Sequence, residues 1–229
     1  VPELINRPVV QKIWQWTERT FVPGVDVFYT VSEPIANLYA AQYNRHVHVI
    51  RNLPVAEPFG NEVEKYEVPT LIYQGAINKG RGVELMIEVM KYLENFNLII
   101  CGKGDLYKKL KQKVHQQGSD NIFFKGHQDF MQLKKITRQS HIGLSWEENL
   151  GRNYQYALPN KLFDYIQAKI PVLVSDLQGM KSVIDEYEAG ELLRSRNSEK
   201  ISVQIRELFD KRHTFDSALQ KAASDLCWE

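Results

Sequence analysis

Cysteine is scarce in this chain. There are two among 229 residues, Cys101 in an apolar run and Cys227 near the end. A disulfide framework is therefore not expected, and a reducing, cytoplasmic setting fits better. Long apolar runs are missing as well. A membrane-spanning helix needs roughly 20 apolar residues, and no stretch comes near that; nor does a secretory leader pattern open the sequence. Neither sign of charge dominates, with 29 Lys and Arg against 28 Asp and Glu for a formal +1. No bulk attraction to nucleic acid or membrane follows, and no nucleic-acid partner is expected. The six histidines are scattered without ligand spacing, so no built-in metal site is expected. A GxSxG elbow, a cysteine with a supporting histidine motif and a P-loop are all absent, which removes the nucleophilic hydrolase readings. Neither GAINKGRG (75–82) nor GKGDLY (102–107) follows GxGxxG with an acid about 20 residues on, which disfavours a dehydrogenase.

What remains is a globular composition, 43% hydrophobic and 25% charged, enough for one or two domains with a core. From residue 70 onward, short apolar runs alternate with helical patterns. TLIYQG, NLIICG, NIFFKG, HIGLSW, PVLVSD and GELLR read as strands. Between them, spacings such as Val83, Met86, Ile87, Met90 and Leu93 read as helices. Such alternation predicts an α/β fold with a doubly wound, Rossmann-like parallel sheet, whose ligands belong at the C-terminal ends of the strands. Before residue 55 lies a shorter α/β piece: a helix over PVVQKIWQWTERTF, a strand over VDVFYTV, a helix capped by Ser32 and a strand over VHVI. Trp14 and Trp16 are two apart and cannot share a helical face, so one is expected to dock against the other domain and the other to be exposed. Two strands are too few for an independent domain. Residues 1–54 are thus expected to be the last part of an incomplete domain, 55–69 a linker, 70–210 a complete domain and 211–229 the start of a closing helix. VPELINRPVV reads as the middle of a protein, so the chain is expected to be a fragment.

The densest chemical signal is ALPNKLFDYIQAKIPVLVSDLQG (157–179). Pro159, Asn160 and Lys161 open a helix, and Asp164 follows about one turn further in. A helix N-terminus offers N–H donors and a positive dipole end to an anion. A carboxylate just beyond can accept hydrogen bonds from sugar hydroxyls, so together they suggest a nucleoside-diphosphate site with a ribose clamp. Asn160 either caps the helix or touches phosphate. Lys161 sits where the dipole disfavours a cation; that hints at a nearby anion, with solvent as the alternative. In GAINKGRG, Arg81 and Lys79 are candidates for stabilising the charge on a departing diphosphate, Arg81 being favoured for its bidentate reach. The alternative is a solvated loop pair. Gly75, Gly80 and Gly82 would let backbone approach the ligand, and Gly102 and Gly104 would do so at the base or merely make a turn.

Taken in order, TVSEPIANLYA, VIRNLP, YQGAINKGRGVELMIEVM, LIICGKGD, IFFKGH and PNKLFDYIQAKIPVLVS resemble the family-four retaining glycosyltransferases of GT-B fold, over roughly residues 26–210. The resemblance implies two Rossmann-like domains facing a cleft, the C-terminal one holding a nucleotide-sugar donor and the N-terminal one a glycan or lipid-linked acceptor. It implies no cofactor beyond the donor substrate and a peripheral association of the full-length enzyme with the inner face of a membrane. Asp164 matches the second acid of the family's paired motif, which holds the ribose. Tyr156 stands where the first acid belongs. The sugar contacts must then come from residues 145–157, with Glu147, Glu148, Asn149 and Asn153 as candidates, each of which could equally be solvated. The alternatives are a sugar-nucleotide epimerase of the same fold and a non-catalytic nucleotide-sugar binding module.

Overall fold

The computed structural model describes residues 7–56 and 63–228. They form two compact units: residues up to Asn52 with Asn149–Leu158 and Leu177–Gly179, and a larger unit of Leu53–Glu148, Pro159–Asp176 and Met180 onward.

The smaller unit opens with α1 (Pro8–Phe21), whose proline in the first turn costs no hydrogen bond. Helix α1 buries none of its residues, and Trp14 and Trp16 are both exposed. The strand predicted over 25–31 shrinks to β1 (Tyr29–Thr30). Helix α2 (Glu33–Tyr43) ends at Asn44 in the left-handed region, and β2 (His48–Val49) pairs parallel with β1. Two strands alone give little ladder to extend, and Val27 lies exposed. Ser32 stands at the N-cap of α2 without capping it; its hydroxyl instead donates to the carbonyl of Tyr156 at 3.2 Å.

The larger unit runs β3 (Thr70–Gln74), α3 (Val83–Val89), β4 (Asn97–Cys101), α4 (Tyr107–Gln116), β5 (Ile122–Gly126), α5 (Phe130–Gln139) and β6 (Ile142–Ser145). The chain then visits the smaller unit through α6 (Arg152–Tyr156), a helix inside a stretch whose sequence reads as loop. It returns with α7 (Asn160–Gln167), β7 (Val172–Val174), α8 (Gln178–Tyr187), β8 (Gly190–Leu192), α9 (Ser198–Asp210) and α10 (Asp216–Asp225).

The six strands lie in the order β5-β4-β3-β6-β7-β8, every neighbour parallel. Every residue of β3, β6 and β7 is buried, which is why these segments read as unbroken apolar runs rather than alternating ones. Leu71, Leu98, Ile100, Leu144 and Leu173 join Met86, Ile87, Ile205 and Leu208 in one core, with α3 packed against α9. The predicted doubly wound Rossmann-like sheet is present. Its strand order reverses between β3 and β6, and a crevice for ligand forms at the C-terminal ends of such a pair.

The described part of 55–69 is tied down. Val55 pairs with Trp228, and Lys65 Nζ donates to the carbonyls of Arg138 and Ser140, each at 2.8 Å. The rest of that expected linker, residues 57–62, lies outside the described residues, as do 1–6 at the chain's start. Cys101 and Cys227 are both free thiols.

Candidate functional site at the sheet's C-terminal edge

The loop after β3 is built against its neighbours. Gly75 N–H donates to Cys101 O, and Ile77 N–H to Lys103 O, both at 3.0 Å. A Cβ on Gly102 would stand 1.9 Å from the Gly75 carbonyl oxygen, and one on Gly104 would stand 2.5 Å from that of Ile77. Their small size therefore serves the approach of two loops of the protein to each other, apart from any ligand. Gly82 does the same on the other side: at φ +77°, its Cβ would lie 2.3 Å from the Trp146 carbonyl oxygen. Gly80 accepts the Glu148 N–H at 2.9 Å, while Gly75 is exposed. The loop is thereby clamped to the turn that follows β6, across the switch point.

That clamp gathers the charges. Glu147, just beyond β6, is only 3% exposed, so its solvated alternative is ruled out. Its carboxylate meets Lys161 Nζ at 2.7 Å and Arg81 Nη1 at 3.7 Å and accepts the Ser145 hydroxyl at 2.8 Å. Lys161 is also buried, with its ammonium 4.1 Å over the Tyr73 ring. The anion hinted at by a cation in the first turn of α7 is present as a side chain of the protein itself. Burial pushes the Glu147 carboxyl up, but Lys161 and the Ser145 hydroxyl outweigh it and hold the group below its ordinary value. Burial pulls Lys161 down, with Arg81 adding to this and Glu147 opposing it. At 2.7 Å the two form an ion pair, each keeping the other charged. Arg196, from the loop after β8, braces the same turn: it donates to the carbonyls of Trp146 and Glu147 at 3.3 and 2.7 Å and to Ser175 Oγ at 2.8 Å.

Asp164 occupies the next turn of α7. Gln74, the last residue of β3, donates Nε2 to its Oδ2 at 2.6 Å and accepts from the Thr137 hydroxyl at 2.8 Å. The Tyr165 hydroxyl accepts the Gln74 N–H at 3.0 Å and fixes the strand end to the helix. Burial pushes the Asp164 carboxyl up to about 6, with Gln74 and Lys134 pulling weakly the other way. Asp164 and Gln74 border a small open cavity of about 60 Å³ together with Pro54, Phe130, Leu133 and Lys134.

Other predicted site residues fall differently. The N-cap of α7 is Pro159, without a side-chain cap; Asn160 is the first helical residue and exposed, which removes its capping alternative. Lys79 is exposed two residues before Arg81, and Asn153 is exposed on α6 in the smaller unit. Gln74, Tyr73, Ser145, Ser175 and Arg196 carry the geometry without having been singled out in the sequence. Their signal was position, since Gln74, Ser145 and Ser175 end or directly follow strands where a doubly wound sheet places ligands. Among the described residues no cluster of His, Cys, Asp or Glu could hold a metal ion, and no helix is long and apolar enough to cross a membrane.

Solved structures share this architecture. The pneumococcal O-GlcNAc transferase GtfA in complex with UDP and GlcNAc superposes with a TM-score of 0.71 at 17% identity, over 92% of this chain and 44% of that one. Sucrose-phosphate synthase from Thermosynechococcus elongatus gives 0.72 at 13%, over 92% and 56%. Anabaena HepE in complex with UDP-glucose gives 0.69 at 14%, over 89% and 60%. At these identities the likeness shows the fold, the Rossmann-like domain of GT-B proteins, and the chain spans about half the length of those proteins. No curated protein matches the sequence significantly. The family model of the glycosyl transferases group 1 matches residues 57–225, most of the larger unit. The chain belongs to the glycosyl transferases group 1 family.

Proposed function

We propose that this chain is the donor-binding part of a retaining glycosyltransferase that moves a sugar from a nucleoside-diphosphate sugar to a glycan or lipid-linked acceptor. The observation that carries this is the meeting of Arg81, Lys161 and Glu147 at the switch point, beside the first turn of α7, with Asp164 one turn deeper. The diphosphate rests against the N-terminus of α7, where N–H groups and the helix dipole favour an anion. As the bond from the anomeric carbon to the phosphate oxygen breaks, negative charge grows on the leaving diphosphate. Arg81 and Lys161 stabilise that charge more than the ground state, lowering the barrier. Asp164 accepts hydrogen bonds from the ribose hydroxyls. Lys79 and Asn160 lie close in sequence to these groups and add outer contacts to phosphate. In this reading residues 70–210 form the donor domain, 1–54 belong to the acceptor domain, 211–229 start the closing helix, and the full-length enzyme works in the cytoplasm at the inner face of the membrane.

The test is titration calorimetry with UDP, GDP and ADP and then their sugars, followed by product analysis. Nucleoside diphosphate should bind, and Asp164→Ala should weaken it with the fold intact; unchanged affinity rejects the ribose role. Release of diphosphate marks a transferase, an epimerised sugar nucleotide marks an isomerase, and binding without turnover by the full-length protein marks a binding module. Tyr156, standing where the family's first acid belongs, is the feature favouring that last reading.

A further inference from the structure

Two cations approach Glu147 in unlike ways. The Lys161 side chain is 8% exposed and in 2.7 Å contact with the carboxylate; that of Arg81 is 34% exposed and 3.7 Å away. Lys161 is wedged between Glu147 and the Tyr73 ring, within the helix turn that the diphosphate would face. Such a lysine has no route to solvent for its charge, and an ammonium so enclosed keeps its proton only with a carboxylate beside it. Glu147 is itself fixed from three sides, by Ser145 at its carboxylate, by Arg196 at its carbonyl and by the Gly82 loop packed on Trp146. It has almost no exposed surface from which to touch a sugar.

We propose that Glu147 is a positioning residue: its carboxylate holds Lys161 charged and in place beneath the diphosphate seat, while the half-buried Arg81 meets the ligand from the loop after β3. This rests on the nucleoside-diphosphate reading above. It separates roles that a count of cations would merge, with Lys161 a sealed charge of the floor and Arg81 the more exposed contact. The ionisable groups around Lys161 are Glu147 from the turn after β6, Arg81 and Tyr73 from β3 and its loop, Arg196 behind Glu147, and Asp164 and Tyr165 on its own helix.

The experiment is calorimetric titration of the chain with UDP, GDP and ADP, carrying the tightest binder through pH 7.0–9.0 for the wild type, Glu147→Gln, Glu147→Asp and the double variant Glu147→Gln/Lys161→Met. Wild-type affinity should be flat over this window. Glu147→Gln should weaken binding progressively as pH rises, as the unpartnered ammonium loses its proton, by about 10- to 100-fold at the alkaline end, the scale of one charged hydrogen bond. Glu147→Asp keeps the charge and should restore the flat profile. The double variant replaces the ion pair by neutral groups of similar size, so it folds even where the single variant does not. It should bind weakly at every pH. A Glu147→Gln profile equal to the wild type, or a double variant binding as tightly as the wild type, overturns the proposal while leaving the donor-site reading standing. A wild-type chain that binds none of the three diphosphates overturns both.

Discussion

Two acids meet successive turns of helix α7, the buried Glu147 through Lys161 and the half-buried Asp164 on the helix itself, and they behave in opposite ways. Glu147 faces an ammonium and sits below its ordinary carboxyl value, whereas Asp164 faces the neutral amide of Gln74 and rises to about 6. Burial pushes both upward, so the partner decides the sign. The difference separates their tasks. Glu147 is spent on the protein's own cations and is sealed. Among the described residues Gln74 donates to one oxygen of Asp164, and the group borders an open cavity, so it keeps accepting capacity for a ligand hydroxyl.

Breaking the charged pair is the largest perturbation. Lys161→Met leaves Glu147 buried without its cation and should cost about 3–5 kcal/mol in urea unfolding at pH 7.5. Adding Glu147→Gln should recover most of that loss. A single variant as stable as the wild type would erase the contrast between the two acids. On the other side of the comparison, Asp164→Ala should weaken nucleoside and nucleoside diphosphate alike, by about 1.5–3 kcal/mol in calorimetry, the scale of hydrogen bonds to a charged group. Gln74→Leu should push the Asp164 carboxyl further up, read by carbon-detected NMR titration, at a stability cost of about 0.5–1.5 kcal/mol.

The smallest effect is in the pH dependence of stability. Folded Asp164 holds its proton up to about 6 against an ordinary 3.8, so its contribution to stability falls as pH rises across that window. His141 works the other way. Burial, with Lys65 and Arg212 adding to it, pushes the imidazole down to about 4 from 6.5, and its neutral Nδ1 accepts the Thr70 N–H. Its contribution is present above 6.5 and is lost as pH falls toward 4. Asp164→Asn should remove the falling component, so the variant gains on the wild type between pH 4 and 6. Parallel urea midpoints in that range would show the Asp164 carboxyl to be unperturbed.

The six-stranded unit was legible because buried parallel strands write themselves as continuous apolar runs with glycine at their ends, as in TLIYQG and NLIICG. The smaller unit was less so, since β1 is two residues long where VDVFYTV reads as seven, and α6 lies in a polar stretch without helical periodicity. Asp164 and Arg81 were readable from local context, a helix start and a glycine loop. Glu147 was seen only as one of two adjacent acids in its loop. Its burial depends on Lys161, which is 14 residues away in sequence, and on Arg81 across the switch point, neither of which leaves a local pattern. The glycines show the same limit. Their conformational freedom was evident, but the surfaces that Gly82, Gly102 and Gly104 allow to meet are the protein's own loops.

The most direct test is charge reversal at Arg81, with the chain titrated in parallel with a nucleoside diphosphate and its free nucleoside. Arg81→Glu should weaken the diphosphate at least tenfold, about 1.4 kcal/mol or more, while leaving the nucleoside, gripped through Asp164, within error of the wild type. Equal loss for both ligands, or no loss for either, would mean that no diphosphate sits at the amino end of α7.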